Sequence, residues 1–283
     1  MYRARYDQFI PCPIRLEHHT VVQHDTRRYS MNTKIKVLLI GESWMVQTIE
    51  TKGFDLFFAN SYGEGTEFLK KALDDEAFSF THMPSHKISS DFPATHQDLL
   101  ESFDVIIISD VGANTFLLSD QTFYQNKIMP NKLQQLKSFV LGGGGLCMAG
   151  GYLSFSGIEG KGKYYGTPVE EVLPVNFLTY DDRQEHPEGL TIPVDPNSHP
   201  ILKGMPKEIK GILGYNRAVA KEECKVIATV NQDPFIAIGS FGKGRSSVIA
   251  TDCAPHWASE EFCTSEGYIR LWQQMMKWLS GSL

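Results

Sequence analysis

The sequence predicts an α/β protein in three layers, a mainly parallel central sheet held between helices, with β-rich additions in the last third. Three observations predict it. Short, wholly apolar runs stop at a glycine or serine, as strands buried on both faces do. Stretches with helical spacing of apolar residues lie between these runs, and that alternation is the pattern of a parallel sheet covered on both sides. Hydrophobic residues make up 42% and charged residues 21% of the 283 positions, enough for a sizeable core.

The elements follow in order. Val37–Ile40 is wholly apolar and ends at Gly41, which makes it the first buried strand. The amphipathic stretch from Gly63 to Asp75 carries Phe68, Leu69, Ala72 and Leu73 on one side, and Phe78–Thr81 supplies a second strand. Val105–Ile108 is β-branched throughout and stops at Ser109-Asp110. Pro130 and Asn131 then announce a helix whose Leu133, Leu136, Phe139 and Val140 recur at helical spacing. Gly142–Gly145 closes it, and Leu146–Ala149 is a further central strand. Val226–Val230, Phe235–Gly239 and Ser247–Thr251 read as strands, the last two joined by a tight turn at Gly242–Arg245. A final helix over Tyr268–Leu279 gathers Tyr268, Leu271, Trp272, Met275, Met276 and Leu279 on one face as core packing.

Residues 1–30 fit none of this. They are rich in Arg and His and show no periodicity, so they are expected to be a disordered extension or the product of a start assigned too early, with the domain running over 31–283. They also lack the apolar stretch of about 7–15 residues that an export signal needs. No run approaches the roughly 20 apolar residues of a membrane span. The net charge of −6 and the scattered basic residues argue against nucleic-acid and membrane partners. Five cysteines without Cys-x-x-Cys pairs suit a reduced cytoplasm better than a disulfide scaffold.

Ligands of open parallel sheets gather at the carboxyl ends of the strands. Four loops meet that rule: Gly41-Glu42-Ser43-Trp44, Ser109-Asp110-Val111-Gly112-Ala113-Asn114, Met148-Ala149-Gly150-Gly151-Tyr152 and Asp252-Cys253-Ala254-Pro255-His256-Trp257. The third is a strand entering a glycine-rich turn, the setting of a nucleophile elbow. Cys147 there is either a nucleophile with His256 as its base or a small buried hydrophobe. Asn216-Arg217 could hold a carboxylate or tie down a loop. Cys253, His256 and Cys263 lack a fourth ligand, so no metal is expected. No cofactor is expected either: Gly142–Gly145 precedes a strand and lacks the ending of a phosphate loop.

The run from Gly143 to Gly157, with Gly41–Trp44, Ser109–Asn114, Tyr165–Pro174, Gly214–Arg217 and Asp252–Trp257, resembles a family of glutamine amidotransferase-like proteins from about residue 34 to the C-terminus. The resemblance implies the class I amidotransferase-like fold, a flavodoxin-like sandwich that also serves as a non-catalytic trimerisation domain in some β-galactosidases. Two departures stand out. The family's working elbow reads Gly-x-Cys-x-Gly; counting back from Gly150 puts Met148 at its tip and Cys147 one residue early, facing the other side of the sheet. The working base and acid read His-x-Glu, whereas His256-Trp257-Ala258 ends in alanine, with Glu260 and Glu261 as the nearest substitutes.

The expected site therefore has His256, Asp252 and Glu42 as candidate catalytic groups, with Cys147 dependent on the register of the elbow. Ser43, Asp110, Asn114, Met148, Gly150, Tyr152, Asn216, Arg217 and Trp257 are expected around a small-molecule ligand. The readings are an acid–base site without glutaminase chemistry, a non-catalytic module that binds a metabolite or forms a homo-oligomer, and a Cys147–His256 amidotransferase or hydrolase.

Overall fold

A computed structural model describes residues 34–283; the expectation for residues 1–30 lies outside them. From the N-terminal side, β1 (Ile35–Gly41) leads into a hairpin of β2 (Ser43–Lys52) and β3 (Asp55–Glu64), then α1 (Glu67–Ala72) and β4 (Phe78–Met83). Two short helices follow, α2 (Ile88–Asp91) and α3 (His96–Ser102), before β5 (Val105–Ser109). Helices α4 (Ala113–Leu117), α5 (Asp120–Gln125) and α6 (Lys132–Gly142) connect it to β6 (Gly145–Ala149). The next segment holds α7 (Pro168–Glu171), β7 (Val175–Phe177), β8 (Arg183–Pro193), β9 (Glu208–Asn216) and β10 (Ala218–Ala220). The last part comprises β11 (Lys225–Val230), β12 (Asp233–Phe241), β13 (Gly244–Ile249), α8 (Glu260–Cys263) and α9 (Glu266–Leu279).

Seven strands form the main sheet in the order β11-β12-β13-β6-β5-β1-β4. β4, β1, β5, β6 and β13 are mutually parallel, whereas β12 and β11 are added antiparallel at one edge. Numbered along the chain, the parallel strands lie in the order 2-1-3-4-5 of flavodoxin-like sheets. The predicted parallel set of β1, β5 and β6 is present, as are the strands expected in the last third, of which β13 joins the parallel set and β11 and β12 run antiparallel.

Alternate residues of the buried strands feed two cores. Val37, Leu39, Val105, Ile107 and Cys147 face α1 and the buried stripe of α9. Leu38, Ile40, Ile106, Ile108 and Met148 face the α3, α4 and α6 side. Helix α6 starts where Asn131 accepts N–H bonds from Leu133 (3.0 Å) and Gln134 (3.2 Å), and it ends at Gly143 with φ 120°. Helix α9 buries all six residues of its predicted stripe behind a Ser265 cap. No helix among the described residues is long and apolar enough to cross a membrane.

Two antiparallel hairpins depart from the expected reading. Ser43 and Trp44 open the ten-residue strand β2 rather than sitting in a loop, and the helix expected from Gly63 begins only at Glu67. The β2–β3 turn is the residue pair Gly53-Phe54, with Gly53 at φ 64°, a conformation that suits glycine at the first turn position. Almost every residue from Trp44 to Tyr62 is exposed, so no in–out alternation marks these strands in the sequence. The second hairpin, β8–β9, sits beside the C-terminal end of β13, where the Asn216 N–H donates to Ala250 O at 2.8 Å.

Candidate functional site

β1 and β5 are neighbours on opposite sides of the point where strand order reverses, and each ends in a carboxylate. Glu42 follows β1 and Asp110 follows β5, both with left-handed backbone (φ 45° and 43°). Such strain in residues with a Cβ persists only where surrounding bonds enforce it. Here the Glu42 N–H donates to Ser109 O (3.0 Å), the Asp110 N–H donates to Ser154 Oγ (3.0 Å), and the N–H groups of Leu153 (2.7 Å) and Tyr152 donate to the Asp110 carboxylate.

Glu42 is buried. Its Oε1 accepts from the Ser109 hydroxyl and, at 3.5 Å, from the Cys253 thiol. Burial first, then the nearby Asp252 and Asp110 charges, push its carboxyl up to about 8, so it carries a proton at neutral pH. Gly65 passes beside its Oε2, where any side chain would collide with the carboxyl. The Gly65 N–H donates to Glu42 O at 2.9 Å, so the chain leaves the sheet at Glu42 for the hairpin and returns to the same point.

Asp252 and His256 form the centre of the site. Asp252, 5% exposed, accepts from His256 Nδ1 at 2.7 Å and from the Trp257 N–H at 3.1 Å, both through Oδ2. Burial raises its carboxyl to about 6, and the bond donated to Asp252 raises the imidazole above its ordinary value. An acceptor at Nδ1 fixes the proton there and leaves Nε2 as the nitrogen that can exchange one. The ring is held by Tyr152 at its edge (centroids 4.5 Å) and by Trp257 stacked at 5.7 Å, whose indole N–H donates to Glu185 Oε2 at 2.9 Å. The acid that orients the imidazole thus comes from four residues before it. Glu260 and Glu261, the expected substitutes, are exposed on α8.

The elbow region is organised differently from a nucleophile site. Cys147 and Met148 are each fully buried on opposite faces of the sheet. Burial pushes the Cys147 thiol up to about 12. The amides that could form an oxyanion hole are already engaged: the Gly150 N–H with Ile249 O (2.8 Å) and Thr251 O (2.9 Å), the Gly151 N–H with Asn216 Oδ1 (2.9 Å). Asn216 also donates to Gly151 O (3.2 Å) and to Asp182 Oδ1 (2.8 Å), so it clamps the turn. Gly151, at φ 143°, fills the gap between two carboxylates; a Cβ there would sit 2.7 Å from Asp252 Oδ1 and 3.0 Å from Asp110 Oδ1.

A cavity of about 480 Å³ opens over these groups. Glu42, Asp110, Tyr152, Asp252 and His256, all expected in the site, line it. Trp44, Glu64, Gly65, Glu67 and Phe68, with Ala254 and Pro255, complete the wall. Glu64 and Glu67 escaped the sequence reading because the hairpin carries them back to the strand ends; the glycines flanking Glu64 were the one signal. The other expected contacts lie elsewhere. Ser43 accepts from the Ser85 N–H at 2.7 Å, Asn114 is exposed on α4, Arg217 pairs with Asp233 at 3.1 Å, and Met148, Gly150, Asn216 and Trp257 support the site from behind. Among the described residues no group of three or more His, Cys, Asp or Glu side chains is placed to hold a metal ion.

A doubly wound sheet with ionisable groups converging at its switch point defines an α/β protein with its site at the strand ends. Residues 36–281 match the family model described as "putative glutamine amidotransferase", and the chain belongs to that family. Two solved structures of Salmonella typhimurium proteins are similar to it throughout. Cytoplasmic protein STM3548 is 42% identical with a TM-score of 0.83, and cytoplasmic protein STM1381 is 41% identical with a TM-score of 0.82. Each alignment covers 87% of this chain and 99% of the other. A "putative thua-like protein" of Bacteroides uniformis shares the fold at 11% identity and a TM-score of 0.52, over 90% of this chain and 94% of its own. No curated protein matches the chain.

Proposed function

We propose that this protein binds a small neutral or cationic, hydroxyl-rich molecule at the strand ends and moves a proton on it, without thiol-based glutaminase chemistry. The observation that carries this reading is the presence of two titratable groups, Glu42 and His256, on the lining of one cavity. Glu42 is a carboxylic acid poised to donate at neutral pH, and His256, oriented by Asp252, is poised to accept. Both environments raise the group they hold, which brings the Glu42 carboxyl into the neutral range where acid and base roles operate. The lining supports the ligand class. Five acidic side chains and no lysine or arginine face the cavity, which disfavours phosphates and carboxylates. Carboxylates accept from hydroxyl and amine donors, and Trp44, Phe68 and Tyr152 offer apolar faces to a ring. A thiol mechanism lacks support from Cys147, which neither lines the cavity nor ionises readily. A cytoplasmic setting is proposed from the description of the two Salmonella relatives.

Thermal-shift screening of neutral sugars and polyols, amines, sugar phosphates and glutamine tests the reading. Binding is expected from the first two groups and should be lost in Asp110→Asn. Preferential binding of a sugar phosphate would overturn the ligand class. Release of ammonia from glutamine by the wild type, abolished in Cys147→Ser, would replace the acid–base reading with a thiol one.

A further inference from the structure

Only the root of the β2–β3 hairpin takes part in the site. From Trp44 to Tyr62 every residue but Glu50 is exposed, so the ribbon stands clear on both faces. Strands of ten residues extend it to about 33 Å, and an isolated two-stranded hairpin is marginal in water. Its composition is the reverse of what such exposure asks for. Neither Trp44–Ile49 nor Leu56–Gly63 contains a charged residue. The register sets Met45 opposite Tyr62, Ile49 opposite Phe58 and Thr51 opposite Leu56 on one face, and Met45, Ile49 and Phe58 are each about two-thirds exposed.

Nine large apolar side chains are uncovered on this ribbon, Phe54 at its tip completely. At roughly 200 Å² for a large side chain, the five on one face (Met45, Ile49, Leu56, Phe58 and Tyr62) present about 600 Å² of apolar surface. Monomers rarely expose contiguous patches beyond a few hundred Å². Two such faces together would bury about 1,200 Å², the lower end of the range for stable complexes. We propose that the hairpin is an assembly arm for a second copy of this chain, its Met45–Ile49–Phe58 face packing on the same face of the partner about a two-fold axis. A second copy fits better than a different protein on two counts. The central strip is uncharged, as in permanent homo-oligomer interfaces, whereas transient partners meet more polar surfaces. A ribbon that turns its Met45–Ile49–Phe58 face to the same face of a copy is also its own complement under two-fold symmetry.

Light scattering on the full chain, resolved by size exclusion, tests the proposal. The wild type should have at least twice the 31.8 kDa chain mass across the micromolar range. The double variant Ile49→Glu/Phe58→Glu, which touches no core residue, should fall to the mass of one chain with an unchanged circular dichroism spectrum. A wild type at one chain mass overturns the proposal, as does a double variant that keeps the wild-type mass. Should the variant aggregate, Gln47→Cys with a short bis-maleimide decides. A covalent dimer absent from the wild-type control supports the arm, and no added dimer refutes it.

Discussion

Glu42 illustrates how one residue can make stability and site chemistry depend on the same proton. Its folded-state carboxyl lies near 8, above the ordinary carboxylate value, so the native state binds more protons than the unfolded chain between about pH 4.5 and 8. Stability must therefore fall as pH rises through that window. Glu42→Gln keeps an acceptor for Ser109 and removes the titration. It should flatten the decline and unfold later than the wild type at pH 8, by at least about 1.4 kcal/mol, the equivalent of one pKa unit. Urea midpoints at pH 5 and pH 8 measure it; an equal wild-type and variant slope would rule out a raised carboxyl. Cysteine reactivity provides a second prediction. Cys147, Cys253 and Cys263 are buried, and Cys224 is partly exposed. Iodoacetamide read by peptide mass spectrometry should modify Cys224 first among these four and leave Cys147 unmodified in native protein. Glu42 and Asp110 were legible in the sequence because each lies two residues beyond a wholly apolar run, and Asp252 and His256 because their loop follows a strand-like stretch. The burial of Cys147 on the sheet face opposite Met148 was legible too, from its one-residue offset and the alternation of strand side chains. The left-handed backbone of Glu42 and Asp110 was not, since carboxylates carry no signature of it.

At the scale of elements, the turn after β6 depends on a single side chain from β9. Asn216 is fully buried and serves Gly151 through both its amide groups while satisfying Asp182, whose carboxyl burial raises to about 6. Asn216→Ala would strand the Gly151 N–H and weaken the hold on Asp182, at a cost of about 3 kcal/mol. The denaturant midpoint should drop accordingly, and the cavity wall at Tyr152 should loosen, read as weaker ligand stabilisation. Helix α9 offers a contrast in kind. Its contribution is apolar, and Trp272→Ala should cost about 3–5 kcal/mol by opening a void beside the sheet. Burial explains which elements the sequence revealed. α6 and α9 declare themselves through periodic apolar stripes and polar caps, and β1, β5 and β6 through unbroken apolar runs. β2 and β3 have no inside, so neither period applies to them. Half-buried β8 was hidden by Pro187, Gly189 and a break in its register with β9.

Considered whole, the molecule couples a fixed sheet to a projecting arm at one spot. The order of the parallel strands places the site between β1 and β5, and the arm departs from that very end of β1. Ser43 and Glu64 face each other across the neck of the hairpin, a spacing that a two-residue turn can span. Replacing Trp44–Gly63 with Asn-Gly should therefore give a folded chain with its α9 core intact and a single-chain mass in light scattering. Loss of the cooperative unfolding transition would show instead that the arm is part of the folding unit. The hydrogen bond that closes this neck, from Gly65 to the Glu42 carbonyl, joins the two ends of the excursion without drawing on anything inside it. Twenty residues can thus be inherited or discarded as a unit while the strand ends keep their carboxylates. Descendants of one ancestral sheet could differ in how many copies travel together and still share the same chemistry.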